Sequence, residues 1–203
     1  MPHKTFDNLS SKKKKSLEAA ALDEFSKYTY EQISINRIIQ SIGMPRGSFY
    51  LYFNDKEDLY LYIINKYYCI FFDLISNVLD NNQDDIIKFY EAIFNTIIEY
   101  CDKGCYGAMF KQFFLGLNRN IENKVLEKFM SEYRFGLVDK IVETFGPLLA
   151  YNKHDDVKDV IFILNDILIH ALTAYYILNI DLEFIQKRLS NQLNIVKNGI
   201  YKK

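Results

Sequence analysis

One segment, residues 34–59, constrains the fold more than any other part of the chain, and it reads SINRIIQSIGMPRGSFYLYFNDKEDL. Its first apolar residues recur at the spacing of one helix face and predict a short helix with a buried stripe: Ile35, Ile38, Ile39 and Ile42. Ser34 stands where a side-chain oxygen caps the start of a helix, and Gly43 stands where a left-handed residue ends one. Pro45 suits the first position of a second helix. The segment is therefore predicted to form a helix-turn-helix.

The second predicted helix turns Phe49 and Phe53 inward and leaves polar groups on its outer surface. Tyrosine and serine hydroxyls reach DNA phosphates, and arginine pairs with guanine in the major groove. Gly47 has no side chain, so its backbone can approach a base edge closely. The alternative is a helical hairpin whose aromatic rings only pack, but spacing, capping residues and polarity together favour DNA. The residues that we expect to contact DNA are Ser34, Asn36, Arg46, Gly47, Ser48, Tyr50, Tyr52 and Lys56.

These residues divide by chemistry into two groups. Asn36 and Arg46 carry the donors that read base edges, whereas the hydroxyl groups and Lys56 suit phosphates. Lys56 stands in the first turn of the next predicted helix, capped by Asp55, where the helix dipole disfavours a cation. Because the helix dipole disfavours a lysine at this position, we expect Lys56 to make a stabilising contact elsewhere, here with a DNA phosphate.

The segment resembles the DNA-binding domain of the TetR (tetracycline repressor) family of bacterial transcriptional regulators, and the match covers about the first sixty residues. Ile39 stands where the family has a small alanine, Thr29 where it prefers glycine, and Pro45 where it has a capping serine. None of these differences removes a group that faces DNA. The resemblance is carried by Ser34, Ile38, Gly43, Met44, Pro45, Gly47, Tyr50, Tyr52, Phe53, Lys56 and Leu59.

The distribution of charge supports a DNA-facing N-terminal part. The formal net charge is -1, but residues 1–56 hold nine Lys and Arg against six Asp and Glu, while residues 57–203 hold sixteen against twenty. A basic head on an acidic body is typical of a domain that faces phosphates. The lysines at 12–15 lie either in solvent at a frayed terminus or along the DNA backbone.

The remaining composition indicates a cytoplasmic protein without a membrane segment. The N-terminal residues lack the apolar run of a secretory signal. The most apolar stretch, residues 157–180, is a buried helix rather than a membrane span because polar residues interrupt it: Asn165, Asp166 and His170. Three cysteines form no disulfide framework, so we expect reduced thiols. Cys101 and Cys105 are interpreted as small buried residues, and a metal or redox role for the pair stays open.

The chain shows no alternation typical of strands, so the predicted fold class is all-α, with about nine helices in total. We expect an N-terminal domain of three helices, including the helix-turn-helix, at residues 1–56. A larger helical domain for effector binding and dimerisation is expected at residues 57–203. Helices after the first domain are predicted at about 55–80, 84–102, 105–117, 120–145, 155–179 and 182–199.

Two sites in the larger domain follow from the resemblance and from helix periodicity. The resemblance implies an effector pocket lined by aromatic residues, although the same rings can fill an ordinary core: Phe89, Phe94, Phe110, Phe113, Phe114 and Phe129. The last two helices are apolar on much of their circumference and are expected to form the dimer interface: Val157, Ile161, Leu164, Leu168, Ala171, Tyr175, Leu189 and Leu193. A second apolar row covers the adjacent side of the first of these helices: Val160, Ile163, Ile167, Ala174 and Ile177.

No catalytic constellation, Gly-rich phosphate loop or cluster of metal ligands is present in the sequence, so we expect neither an enzyme nor a bound cofactor. By resemblance, the partners are a palindromic operator in double-stranded DNA, a second copy of the chain and a small-molecule effector. The leading interpretation is a homodimeric repressor released by a small, mostly apolar effector. The alternative is a DNA-binding architectural or protein-interaction factor of the same fold without an effector.

Overall fold

The computed structural model describes residues 2–102, 107–108, 134–150 and 153–200. These residues form nine α-helices and no β-strand, which confirms the all-α prediction. The helices are α1 (Lys4–Asp7), α2 (Ser11–Lys27), α3 (Ile35–Ser41), α4 (Arg46–Tyr50), α5 (Lys56–Asn81), α6 (Ile86–Cys101), α7 (Arg134–Phe145), α8 (His154–Tyr176) and α9 (Leu182–Ile200). Within these residues, no helix is long and apolar enough to cross a membrane.

The chain divides into two compact units. Among the described residues, the first unit includes 2–70 and the second includes 71–100 and 134–200. This division falls inside α5, whereas the sequence led us to place a domain boundary between residues 56 and 57, where α5 begins.

The core of the first unit contains the stripe that the isoleucine spacing predicted. Ile38 and Ile39 are buried, while Ile35 and Ile42 are partly buried against the same cluster. Phe49 and Phe53 are fully buried, and their rings lie 5.7 Å apart. The inward direction of both phenylalanines is therefore confirmed.

Helix α2 includes the run of lysines at residues 12–15. The Ser10 hydroxyl caps the helix by accepting from the backbone N–H of Lys13, so residues 12–15 lie within the helix rather than before it. Leu17, Ala21 and Phe25, spaced four residues apart on its inner face, are buried.

Two buried carboxylates fix α2 to its neighbours. Glu24 accepts from the backbone N–H of Ser34 at 2.8 Å and from Arg37 Nε at 2.9 Å. The hydrogen bond between the Glu24 and Arg37 side chains raises the pKa of Arg37. Glu18 accepts from Tyr62 Oη at 2.6 Å, and burial together with this hydrogen bond raises the pKa of Tyr62. Because a buried charge needs partners, these contacts define where α3 begins and where α2 meets α5.

Aromatic residues of α6 form part of the core of the second unit. Phe89, Tyr90 and Phe94 on α6 are fully buried. The Tyr90 hydroxyl donates to Asn165 Oδ1 at 2.9 Å, so the polar residue inside the apolar α8 has a partner in the core. Burial raises the pKa of Tyr90, which keeps its hydroxyl a donor.

The ends of these helices follow predicted break points. Asp85 caps α6 by accepting from the backbone N–H of Ile87, and it also accepts from Lys197 Nζ of α9 at 2.6 Å. Asn179, between α8 and α9, has a positive φ of 52°, a conformation that asparagine tolerates better than most residues. The predicted break at Gly146 and Pro147 is a single 3₁₀ turn, Gly146–Leu148.

Candidate nucleic-acid interface

The turn between α3 and α4 has the geometry that its sequence requires. Gly43 has a φ of +64°, the left-handed conformation expected of the residue that ends α3. Ser34 caps the start of α3 by accepting from the backbone N–H of Arg37 at 3.4 Å. Pro45 is the N-cap of α4 instead of its first helical residue, because its ψ of 140° is extended.

Helix α4 is only five residues long. The backbone N–H groups of Leu51 and Tyr52 bond to the carbonyls of Ser48 and Phe49, three residues back, at 3.3 and 2.9 Å. This tighter pattern ends the α-helix at Tyr50, and Phe53 reaches the core from the following turn.

The predicted DNA-contacting residues lie mostly on the exposed side of α3 and α4. Asn36, Arg46 and Gly47 are exposed, and Tyr50 retains 42% of its accessible surface. Ser48 is half-buried. These groups face away from the buried Phe49 side of α4, so they are available to a ligand outside the protein.

Among the residues that the structure describes, none requires position 47 to be glycine. Its φ is not in the left-handed region, and a Cβ atom built there meets no heavy atom within 4 Å. Gly43 differs, since its positive φ disfavours any other residue. The backbone conformation therefore accounts for glycine at position 43. Glycine at position 47 is instead accounted for by the ligand that binds there.

Tyr52 and Lys56 are partly occupied by contacts inside the protein. The Tyr52 ring is half-buried and lies 6.0 Å from the ring of Phe6. Lys56 Nζ donates to the carbonyls of Tyr30 and Glu31 at 2.8 and 3.3 Å and stands 4.5 Å from the centre of the Tyr30 ring. The position of Lys56 at the start of α5 is thus explained without a phosphate, and a third N–H can still serve one.

Sequence reasoning missed the N-terminal segment, which we define as residues 2–9. The sequence indicated no role for His3, but its backbone N–H donates to the Tyr52 carbonyl at 2.8 Å. The His3 ring and the Thr5 hydroxyl both contact the Leu51 carbonyl at the end of α4. Phe6, an aromatic residue in an otherwise polar stretch, was the one available signal of this packing.

The predicted dimer residues lie mostly inside the second unit. Seven of the eight are buried within their own protomer, namely Val157, Ile161, Leu164, Leu168, Ala171, Leu189 and Leu193, and Tyr175 is half-buried. The buried residues pack α8 and α9 into their own unit, and a dimer interface formed by these residues stays a prediction. Large apolar side chains are exposed on both helices, among them Ile163 (52%), Phe184 (54%) and Ile195 (73%).

An open groove of about 210 Å³ also lies between α8 and α9. Its lining is mainly apolar and includes Ala174, Ile180, Phe184 and Leu189, together with His170 and Arg188. His170, which we had expected to be in the core or at an interface, is exposed within this protomer.

The predicted effector pocket can be followed only in part. Phe89 and Phe94 are fully buried, and the Phe89 ring lies 5.4 Å from that of Phe145. The other four positions, Phe110, Phe113, Phe114 and Phe129, lie outside the described residues, as does Cys105. In the described part of the chain, no group of three His, Cys, Asp or Glu side chains is placed to hold a metal ion.

Two family models match the chain. A model described as bacterial regulatory proteins, tetR family, matches residues 17–63. A second, described as a tetracyclin repressor-like C-terminal domain, matches residues 85–200. Together they cover the helix-turn-helix and most of the second unit.

Curated relatives match mainly the N-terminal part. The HTH-type transcriptional regulator YuxN of Bacillus subtilis is 30% identical over 93 residues, which are 44% of this chain and 32% of that protein. The HTH-type transcriptional repressor Rv1474c of Mycobacterium tuberculosis is 33% identical over 60 residues, 30% of this chain and 32% of that protein. The chain thus spans about a third of the length of these relatives.

Solved structures share the fold along the whole chain. A TetR family transcriptional regulator from Chloroflexus aurantiacus has a TM-score of 0.64 at 20% identity, with 100% of both chains covered. The fatty acid degradation regulator FadR from Bacillus halodurans has a TM-score of 0.66 at 17% identity, with 91% of this chain and 96% of that one covered. At these identities the likeness establishes the fold alone.

Proposed function

The chain belongs to the TetR family of bacterial regulatory proteins, and from that premise we propose that it is a homodimeric transcriptional repressor. It binds a palindromic operator and is released from it by a small, mostly apolar molecule. The proposal of DNA binding rests on one observation about α4. Phe49 is fully buried, while Arg46, Gly47 and Tyr50 are exposed on the opposite side of the helix.

Each exposed group of the helix-turn-helix has a role that suits its chemistry. Arg46 at the start of α4 and Asn36 in the first turn of α3 supply donors for base edges. Ser48, Tyr50 and Tyr52 supply hydroxyls for phosphates, and Lys56 supplies its third N–H. Ser34 contributes by fixing the start of α3, because its side-chain oxygen caps that helix.

Selection of bound fragments from random double-stranded DNA tests this proposal. We expect the selected sequences to share a palindrome whose half-sites lie about one helical turn, roughly 34–36 Å, apart or a multiple of it. Arg46→Ala should weaken binding by about 1–3 kcal/mol and relax the preference at one position of each half-site. Enrichment of no sequence, or an Arg46→Ala protein with unchanged preference, would count against this role of the helix-turn-helix.

The proposed dimer uses the exposed side of α8 and α9. Ile163, Phe184 and Ile195 expose large apolar surfaces that a monomer would leave in water, and the groove between the helices adds a mainly apolar depression. In a dimer with a two-fold axis, both copies use this same surface to contact each other. Burial of these side chains supplies the driving force for association.

The proposed effector acts on the second unit, whose described core is rich in aromatic residues, including Phe89, Tyr90 and Phe94. A coupling free energy of about 1–3 kcal/mol between effector and DNA is sufficient to change affinity 5- to 150-fold. Helix α5 contributes residues to both units, so a shift in this helix can connect the two events. A broad set of lipophilic compounds should therefore include one that weakens operator binding.

The alternative, an architectural factor without an effector, is tested by the same set of compounds. If every compound leaves operator affinity unchanged while selected DNA still binds, the architectural interpretation takes the place of the effector proposal.

A further inference from the structure

Helix α4 cannot hold its shape by itself. It has five residues, whereas isolated helices shorter than about 12–15 residues are marginal in water. The carbonyls at the end of a helix need donors from outside it. Those of Ser48 and Phe49 accept from Leu51 and Tyr52. The carbonyls of Leu51 and Tyr52, directly after the helix, accept from another part of the chain.

The N-terminal segment supplies these donors. The Leu51 carbonyl accepts from His3 Nδ1 at 3.3 Å and from the Thr5 hydroxyl. The Tyr52 carbonyl accepts from the backbone N–H of His3 at 2.8 Å. His3 Nε2 also lies 2.9 Å from Asn54 Oδ1, so one histidine contacts three residues of the chain that follows α4, namely Leu51, Tyr52 and Asn54.

The same segment is anchored in the core of the first unit. Phe6 is 3% exposed, and its ring centre lies 5.1 Å from that of Phe53 and 5.2 Å from that of Tyr62. Lys14 Nζ on α2 donates to the Asp7 carbonyl at 2.9 Å. Tyr62 on α5 and Lys14 on α2 therefore anchor the segment to helices other than α4.

We propose that His3 and Thr5 are positioning residues for DNA recognition, which hold the C-terminal end of α4 so that Arg46 and Gly47 keep a fixed direction. This inference rests on the proposed function, since it treats α4 as the recognition helix. Neither side chain needs to touch DNA in order to act.

A competing explanation is that the segment binds DNA directly. Lys4 is exposed on α1, next to His3, and a lysine near the recognition helix can contact a phosphate. The two explanations differ in how affinity depends on salt. Loss of a phosphate contact lowers the slope of log affinity against log salt by about one, whereas loss of positioning leaves the slope unchanged.

The test uses the full chain with His3 and Thr5 both changed to alanine. Amide hydrogen exchange at Leu51, Tyr52 and Phe53 should quicken by about 5- to 30-fold, the factor that corresponds to one or two hydrogen bonds lost from a local opening reaction. Operator affinity should fall about 5-fold or more at an unchanged salt slope.

Three further variants serve as controls. Thr5→Ser keeps the hydroxyl and should retain the slow exchange and the affinity of the unchanged chain. Asn8→Ala alters an exposed residue of the same segment and should change neither property. Lys4→Ala isolates a direct phosphate contact, because it changes the charge beside His3 but no hydrogen bond to α4.

The possible outcomes separate this inference from the proposed function. If the unchanged chain selects DNA and the double variant binds it equally tightly, positioning by His3 and Thr5 is refuted. A salt slope lowered by about one in the double variant refutes it too, in favour of a phosphate contact. If the unchanged chain selects no DNA, the proposed function fails, and faster exchange at residues 51–53 still shows whether His3 and Thr5 hold the end of α4.

Discussion

We expect Gly47→Ala to raise the free energy of unfolding and to lower affinity for DNA. The two effects have separate causes. Gly47 lies inside α4 with an ordinary φ, and a Cβ atom there meets nothing within 4 Å. The folded protein therefore accepts the methyl group without strain, while the methyl group projects from the exposed surface that carries Arg46.

The magnitudes follow from these two environments. Replacing glycine by alanine within a helix stabilises it by about 0.5–1 kcal/mol, and the lower end applies to Gly47 because α4 is short. If the backbone at Gly47 approaches a base edge closely, the added methyl group disturbs a contact of the kind worth about 1–3 kcal/mol. Affinity should then fall about 5- to 150-fold.

The chain offers a matched control in Gly136. It is exposed within α7 in the second unit, and a Cβ atom built on it also meets nothing within 4 Å. Gly136→Ala should raise the free energy of unfolding by about 0.5–1 kcal/mol and leave DNA binding unchanged. Urea denaturation measures the first quantity, and fluorescence anisotropy with a labelled selected operator measures the second.

Either of two results would refute the reasoning. Unchanged DNA affinity of Gly47→Ala would show that this side of α4 does not approach DNA closely. A lowered free energy of unfolding would show that the fold itself requires glycine there, contrary to the open space around its Cβ position.

Three other changes probe the remaining contacts. Lys56→Ala should lower the free energy of unfolding by about 1 kcal/mol, because two backbone carbonyls lose a charged donor. It should also lower the slope of log DNA affinity against log salt by about one. An unchanged slope would show that Lys56 has a structural role only. Tyr90→Phe should cost about 1–2 kcal/mol in urea denaturation, because Asn165 loses its buried donor, and an equally stable variant would contradict this. Ile163→Glu should convert dimers to monomers in sedimentation equilibrium while the circular dichroism spectrum stays helical, and an unchanged mass would exclude Ile163 from the interface.

Local features of the helix-turn-helix could be predicted because each depends on residues close in sequence. The cap at Ser34 and the positive φ of Gly43 follow from residue type and spacing, and both are present. The surroundings of the end of α4 could not be predicted, because the carbonyls that follow it bond to the N-terminal segment, which is distant in sequence. His3 and Leu51 are 48 residues apart, and no periodicity indicates such a pair.

The apolar rows of α8 show a second limit of sequence reasoning. Helical periodicity correctly identified Leu164 and Leu168 as members of one face. It did not distinguish a face that packs within a protomer from one that meets a partner, because both are apolar for the same physical reason. Ile163, which belongs to the second apolar row of α8, is exposed to solvent.

The division of α4 between one buried phenylalanine and several exposed residues bears on how such a regulator diversifies. Substitutions at exposed positions usually change stability by no more than about 0.5 kcal/mol. The residues at 46, 47 and 50 can therefore be exchanged with little effect on folding, while Phe49 cannot. Gene duplicates of this protein can acquire new operators through a few surface mutations, and the same positions are where an engineer would graft the recognition residues of another regulator.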